Sequence, residues 1–247
     1  MEHKIIFVGL WIALLSLFGC DKGQFLDSTG AITTENREIG TLTKVSVFDN
    51  INVIFTNHLD SGVIKVSAGA KIIRNISTEY RDNTLIIKNK NKYKWTRDLN
   101  PDIRVYIPCS GITEIRHESV GVMSCETPLT GDKLRIDLRY GNGKIDLELV
   151  YDDIDLHGPA GSITDVILKG KCETFELYYS DYAPCDCRNL QTKKAKITHI
   201  GIQNCFISAS EILEPTITNY GNIYYYGDPK IINYTNTGKG NLIHVEE

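Results

Sequence analysis

The residues of this 247-residue chain whose chemistry can be read first are its cysteines, and Cys20 is the most informative. It closes the stretch LLSLFGCDKGQF, where an apolar run stops and charge begins at Asp21 and Lys22. The run from Ile5 to Phe18 is about fourteen residues, and a helix needs roughly twenty to cross a bilayer, so its length suits the core of a secretory signal. Lys4 supplies a short basic start, partly cancelled by Glu2. Leu17 three residues before the cysteine and small Gly19 directly before it give the order of a bacterial lipobox. There the thiol takes a diacylglycerol, and cleavage leaves the cysteine as the first residue. An ordinary secretory signal that happens to contain a cysteine is the competing reading. One acyl chain anchors only marginally, whereas a lipidated N-terminal cysteine carries two or three and holds firmly. The expectation is a signal peptide over 1–19 and a mature chain lipid-anchored through Cys20 in the cell envelope, at the outer membrane, on its periplasmic or surface face.

Six cysteines follow: Cys109, Cys125, Cys172, Cys185, Cys187 and Cys205. An even number in an oxidising compartment permits disulfides without requiring them. Cys185 and Cys205, about one repeat apart, are the disulfide candidates. Cys185 and Cys187 also invite a metal reading, but we expect the two to split between strand faces. No second close C-x-x-C or H-x-x-x-H supplies the other ligands of a zinc site. No metal and no cofactor is expected. There is no G-x-S-x-G elbow and no Gly-Lys-Ser/Thr phosphate loop. Asp137, Asp146, Asp155 and Asp165 recur on neighbouring repeats, and His157 stands near Asp155, so a carboxylate pair or an oriented base is the route by which the chain would be a polysaccharide lyase or hydrolase. Outward Asp on a repeated turn is the ordinary alternative, and no catalytic residue is assigned.

Two further clusters could bind. KNKNKYKWTR, Lys88 to Arg97, interleaves cations with Tyr93 and Trp95, and Lys92 with Trp95 could grip an anionic glycan; a solvated hairpin tip whose lysines discourage edge pairing is the plainer reading. Tyrosines crowd the last repeats. Tyr179 with Tyr220, and Tyr182 with Tyr224, lie about two repeats apart, and outward rings so spaced would sit roughly 9–10 Å apart and form a glycan-binding face. Rings pointing inward would instead serve the core. With 27 basic and 31 acidic residues the net charge is −4, which leaves no footprint for nucleic acid. The polar segment 20–40 reads as a tether between lipid and fold.

The elements that position these residues are strands. KVSVFDNINVIFT alternates apolar and polar residues, and GVIKVSA, NTLIIKN and DIRVYIP are further short β-rich runs separated by Gly, Asn and Asp. Region 41–108 is expected to be antiparallel strands. From about 109 to 240 a repeat appears. Cut every twenty-one residues from Asp132, the chain gives about five rungs, each opening on a short strand: Leu134 and Ile136, Ile154 and Leu156, Phe175 and Leu177, Ile197, Ile217. Second strands carry Ile145 and Leu147, Val166 and Leu168, Ile202 and Phe206, then Ile223. One rung cannot bury its apolar positions alone, but stacked rungs form continuous inward columns. The fold class is therefore all-β, antiparallel strands leading into a parallel β-solenoid.

The ordered motifs VFDNINVIFT, SGVIKVSAG, NTLIIKN, DIRVYIPCSGITEI and GNIYYYGDPKI resemble the auto-transporter adhesin "head GIN domain" family over about 40–240. The resemblance implies a right-handed β-helix, an envelope or surface location and no established catalysis. It departs in having fewer Gly-Ser pairs and more Tyr and Cys. The expected function is an adhesin-like module for extracellular glycan or protein, held to a membrane by its N-terminal lipid; a carbohydrate-active enzyme or a purely structural envelope component are the alternatives. Intact-mass analysis should find cleavage before Cys20 and a lipid on it, globomycin should block processing, and Cys20→Ala should release the protein. Cleavage elsewhere without lipid would remove the anchor.

Overall fold

The computed structural model describes residues 28–92, 102–180 and 182–246. Cys20 and Trp95 lie outside them, as do the signal and the half of the Lys-rich tract from Tyr93 to Arg97. Apart from one 3-10 turn, Ile73–Asn75, every regular element described is a strand, and no described helix is long and apolar enough to cross a membrane.

The chain opens with β1 (Ile32–Glu38), β2 (Lys44–Asp49), β3 (Asn52–Thr56), β4 (Val63–Gly69), β5 (Ile76–Arg81), β6 (Thr84–Asn89) and β7 (Arg104–Pro108). The expected antiparallel pairing is present between β1 and β4, β4 and β7, and β5 and β6. β2 and β3 differ. They run parallel to β6 and β7 on one side, and to β8 (Glu114–Ser119) and β9 (Val122–Cys125) on the other. The solenoid thus begins inside the region expected to be antiparallel and has about six turns where the repeat suggested five. β1 is a second correction, since it occupies part of the expected 20–40 tether. Its sequence, ITTENRE, buries no residue and so carries no apolar signal. It is ordered by its ladder with β4 and by Arg37, which donates to the Ile73 and Ile76 carbonyls and to Thr78.

The middle consists of β10 (Leu129–Leu138) and three fifteen-residue strands, β11 (Lys144–Gly158), β12 (Asp165–Tyr179) and β13 (Cys185–His199). Each long strand bends midway and contributes to both faces of the solenoid. The last turns are β14 (Cys205–Ser208), β15 (Ile212–Ile217), β16 (Ile223–Tyr226), β17 (Ile231–Ile232), β18 (Thr235–Asn236) and β19 (Leu242–His244). On one face Val45, Ile115, Ile136, Leu156, Leu177 and Ile197 stand in register. On the other, Val53, Met123, Ile145, Val166, Cys185, Cys205 and Ile223 do so. All are buried. Each aliphatic side chain so placed is worth about 1.5–3 kcal/mol relative to exposure. Ile64, Val66, Ala68, Ile72, Ile73 and Ile76 close the N-terminal end of the core.

The repeat is not uniform. Leu156 to Leu177 is 21 residues, Leu177 to Ile197 is 20, and Cys205 to Ile223 is 18. A fixed cut of twenty-one therefore slips. Ile202 and Phe206, expected as core, are not core: Ile202 is 46% exposed and Phe206 faces outward, while Cys205 and Ile207 point in. Ile217 stacks on His199 rather than on Ile197. A one-residue slip exchanges the two sides of a strand, so this correction is testable. Ile207→Ser should lower the unfolding free energy by about 3 kcal/mol or more, whereas Phe206→Ser should cost about 1 kcal/mol, read from urea midpoints.

Candidate functional site

Each turn crosses between the two faces twice: once at the bend within the long strands, and once through a glycine- and asparagine-rich link. The bend at Tyr151 and the link at Ile163 are twelve residues apart, and the next bend, at Cys172, is nine further on, so the two crossings lie on opposite edges of the ring.

At the bend edge the turns change length. Cys187 to Lys194 is seven residues, but their register partners Ile207 and Ile212 are five apart. The last turns cut across inside the earlier ones and leave a cleft of about 670 Å³. Its floor is small or hydroxylated: Gly131, Cys172, Thr192, Ser208, Ala209, Ser210 and Gly227, with Tyr151 beside them. Gly131, Tyr151, Cys172 and Thr192 are successive register partners, and Ser210 and Gly227 continue the series, so the cleft extends over five steps, roughly 24 Å along the axis. The Tyr151 hydroxyl donates to the Ile112 carbonyl, which fixes the ring. The Cys172 thiol lies 3.4 Å from the Thr192 hydroxyl, and burial pushes its pKa up to about 11, so it is a neutral polar group. On the rim Lys193 pairs with Glu173 at 2.7 Å, while Lys171 and Asp152 have no ion-pair partner among the described residues. Such a floor offers hydrogen bonds and close approach.

The link edge carries a different pattern. Three residues before each of Met123, Val166, Cys185, Cys205 and Ile223, which occupy one inward column, stand Val120, Ile163, Tyr182, Ile202 and Tyr220, and all five are exposed. Asn142, before Ile145, interrupts the series between Val120 and Tyr220, and polar Asn50 and Lys239 stand at the equivalent positions before Val53 and Leu242.

The expected tyrosine face is rearranged by these registers. Tyr179 is fully buried, with its hydroxyl donating to the Thr164 carbonyl, so it is a core residue and not part of an outward face. Tyr224 is half-buried and stacks on Phe206, ring centroids 5.1 Å apart, which occupies a ring face. Tyr182 and Tyr220 are exposed and equivalent to each other, two turns apart, rather than to Tyr224 and Tyr179. Lys92 is exposed.

The acidic residues do not pair with one another. Asp137 binds Arg139 at 2.8 Å and lies 3.4 Å from His157 Nδ1, so Asp137, not Asp155, is the neighbour of that histidine. Asp155 is paired with Arg135, and Asp165 is exposed. Asp146 binds Lys169 and Lys144, and the hydrogen bond from Lys169 holds its carboxyl below the usual range. Cys185 and Cys187 do not split between faces. Residues two apart on a strand share a side, and both thiols point inward with Sγ atoms 3.6 Å apart. Cys185 and Cys205 are register partners, and all six described thiols are free. Among the described residues no three His, Cys, Asp or Glu converge on a metal-binding point.

Sequence reasoning found the tyrosine-rich end but missed both edges. The link column was detectable as one apolar residue inside each Gly/Asn turn. The cleft left only the contraction of the repeat as a sign.

A family model described as "putative auto-transporter adhesin, head GIN domain" matches residues 41–229. Three crystal structures share the fold. A putative adhesin from Bacteroides fragilis has TM-score 0.78 at 20% identity, covering 89% of this chain and all of that one. A putative lipid binding protein from Parabacteroides distasonis has TM-score 0.65 at 18% identity, covering 88% and 98%. A putative adhesin from Parabacteroides merdae has TM-score 0.60 at 17% identity, covering 88% and 97%. No curated protein matches the chain.

Next to the link edge, two histidines are sealed in the core. His117 stands between Val47 and Leu138, and neither ring nitrogen meets a hydrogen-bond partner among the described residues. Burial lowers its pKa to about 4, and burial also lowers that of His199. Below pH 6.5 the unfolded chain takes up a proton that the folded chain refuses, so stability falls as pH drops toward 4 and the loss then levels off. Between pH 7 and 4.5 the unfolding free energy should fall by roughly 2–3 kcal/mol through His117, and His117→Leu should flatten that slope. An unchanged slope in the variant would place the acid sensitivity elsewhere.

Proposed function

The chain belongs to the auto-transporter adhesin head GIN domain family, and from that premise we propose that it is a lipid-anchored cell-envelope protein acting as an adhesin-like binding module, with an extended glycan as its ligand. The observation that carries the binding reading is the contraction cleft. It is a continuous groove with a hydroxyl-bearing floor and with Lys171 and Asp152 on its rim, neither in an ion pair among the described residues. Ligand sites are commonly concave, with a few convergent polar groups. The length of the groove suits several units of a chain lying along the solenoid axis, and its mixed rim suits a ligand of low net charge. The anchor reading rests on Leu17, Gly19 and Cys20, and an envelope or surface location accords with the family.

Binding without turnover is favoured by the acidic residues. General acid–base work on a glycosidic bond uses two carboxyl groups flanking it. Here Asp137, Asp146 and Asp155 are each held by their own cation. A glycan array probed with the protein should show retention of a defined set of chains. Ser210 is exposed at the cleft, so Ser210→Trp fills the groove without disturbing the core. It should weaken retention by about tenfold or more and leave the melting temperature unchanged, and Lys171→Ala should weaken it to a lesser degree. Retention unaffected by Ser210→Trp would move the site away from the cleft; release of shortened products would make the protein an enzyme.

A further inference from the structure

The link edge gathers exposed apolar side chains along one register column. Val120, Ile163, Tyr182, Ile202 and Tyr220 are 56, 52, 52, 46 and 62% exposed. Successive turns place them in one line, and the line from Val120 to Tyr220 covers five register steps, about 24 Å. The residues around them in the links are mostly Gly, Ser, Thr, Ala and Asn. The adjoining faces, by contrast, carry ion pairs such as Lys133 with Asp153 and Lys169 with Asp146. Charge enters the strip at Asp165 and at Lys239, whose ammonium lies 5.4 Å from the Tyr220 ring centroid. Scattered exposed apolar residues need no explanation, but an aligned series of them marks a contact surface.

We infer that this edge rests on the lipid surface of the membrane, with the aliphatic side chains and tyrosine rings of the line seated at the headgroup boundary and the cleft turned away from it. The inference rests on the lipid anchor proposed above. Three features select a bilayer over other occupants. Three of the five side chains are aliphatic, which a sugar ring cannot stack upon but a headgroup–acyl boundary accepts, and tyrosine is enriched at that depth. The five share one register column on one edge, so they face the same side and can meet a flat surface together. The leash is also short. From Cys20 to Ser28, where the described structure begins, there are eight residues, which reach at most about 29 Å, so an anchored body cannot leave the bilayer's vicinity. The bend edge lies across the ring, so seating the link edge on lipid presents the cleft outward, as the binding reading requires.

The test uses the full chain, expressed with its signal, purified in detergent and reconstituted into phosphatidylethanolamine–phosphatidylglycerol vesicles with or without bromine on the acyl chains. Tryptophan is introduced singly as Ile202→Trp, Tyr220→Trp and, on the opposite edge, Ser210→Trp, and the emission added over the parent is compared in the two lipids. Bromine should quench the added emission at 202 and 220 by at least about twofold and leave that at 210 unchanged. Flotation of the same vesicles reads the anchor separately. Protein that floats but shows no quenching at 202 and 220 overturns the seated edge and leaves the anchor standing. Protein that does not float removes the anchor and, with it, the inference. Equal quenching at all three positions would show a body without a preferred edge and would also overturn it. Ile202→Glu, at an exposed position that the fold does not depend on, should float with the parent yet lose quenching of a tryptophan placed at 220 if the line acts as a unit.

Discussion

Each turn of this solenoid hydrogen-bonds to the equivalent residues of the turn before it, and that parallel register is the constraint on which everything else depends. Strand alternation makes the inward columns intolerant of change, because a slip of one residue would expose the buried side chains of an entire strand. Differences in turn length are therefore absorbed mainly at the two crossings between faces, with a single extra residue taken up by a bulge in β13, where Asp186–Asn189 faces Ile167–Lys169 of β12. The bend loses two residues between β13 and the β14–β15 pair. The link is eight residues from Gly158 to Val166 but six from Tyr179 to Cys185. The cleft and the exposed apolar line both sit at these crossings, which are the places where the sequence is free to vary without disturbing the stack.

The link edge also shows how outward positions are released from structural duty. The polar requirements of the turns are met from within. The Ser119 hydroxyl donates to the Asp49 carbonyl and accepts from the Gly121 amide, and Ser162 and Thr164 share a hydrogen bond at 2.8 Å. Further along, Asn204 and Asn222 accept from the backbone amides of Asn222 and Asn241 in the next turns, which forms a short asparagine ladder. With the backbone satisfied by buried or half-buried side chains, the residue at the tip of each link is free to be apolar or aromatic.

Much of the architecture was legible because its cause is local. Leu134, Ile154 and Phe175 recur at nearly constant spacing and do stand in register, and the alternation from Val45 to Phe55 marks inward positions correctly. Where the causes are distant, sequence reading fails. Nothing in ITTENRE announces that β1 pairs with β4, since no residue of it is buried. Tyr179 and Tyr220 look equivalent by count, yet the shortened turns carry one into the core and the other into solvent. The buried histidines carry no sequence mark that separates them from half-exposed His157.

One pairing has a consequence for how the molecule comes together. β2 lies beside β8, with Val45 against Ile115, so two neighbouring turns are separated by seventy residues of chain, and the excursion between them builds the N-terminal end of the core. From β8 onward, neighbouring strands are only about twenty residues apart, whereas β2–β6 and β3–β7 pair across about forty and fifty. Closing a loop of seventy costs more entropy than closing one of twenty, by about 1 kcal/mol, and rates fall as contacts become less local. Assembly is thus expected to start among β10 to β13 and spread outward, with β1 to β7, about the first third of the described chain, docking late. The end that emerges first during synthesis is the one that must wait for the rest.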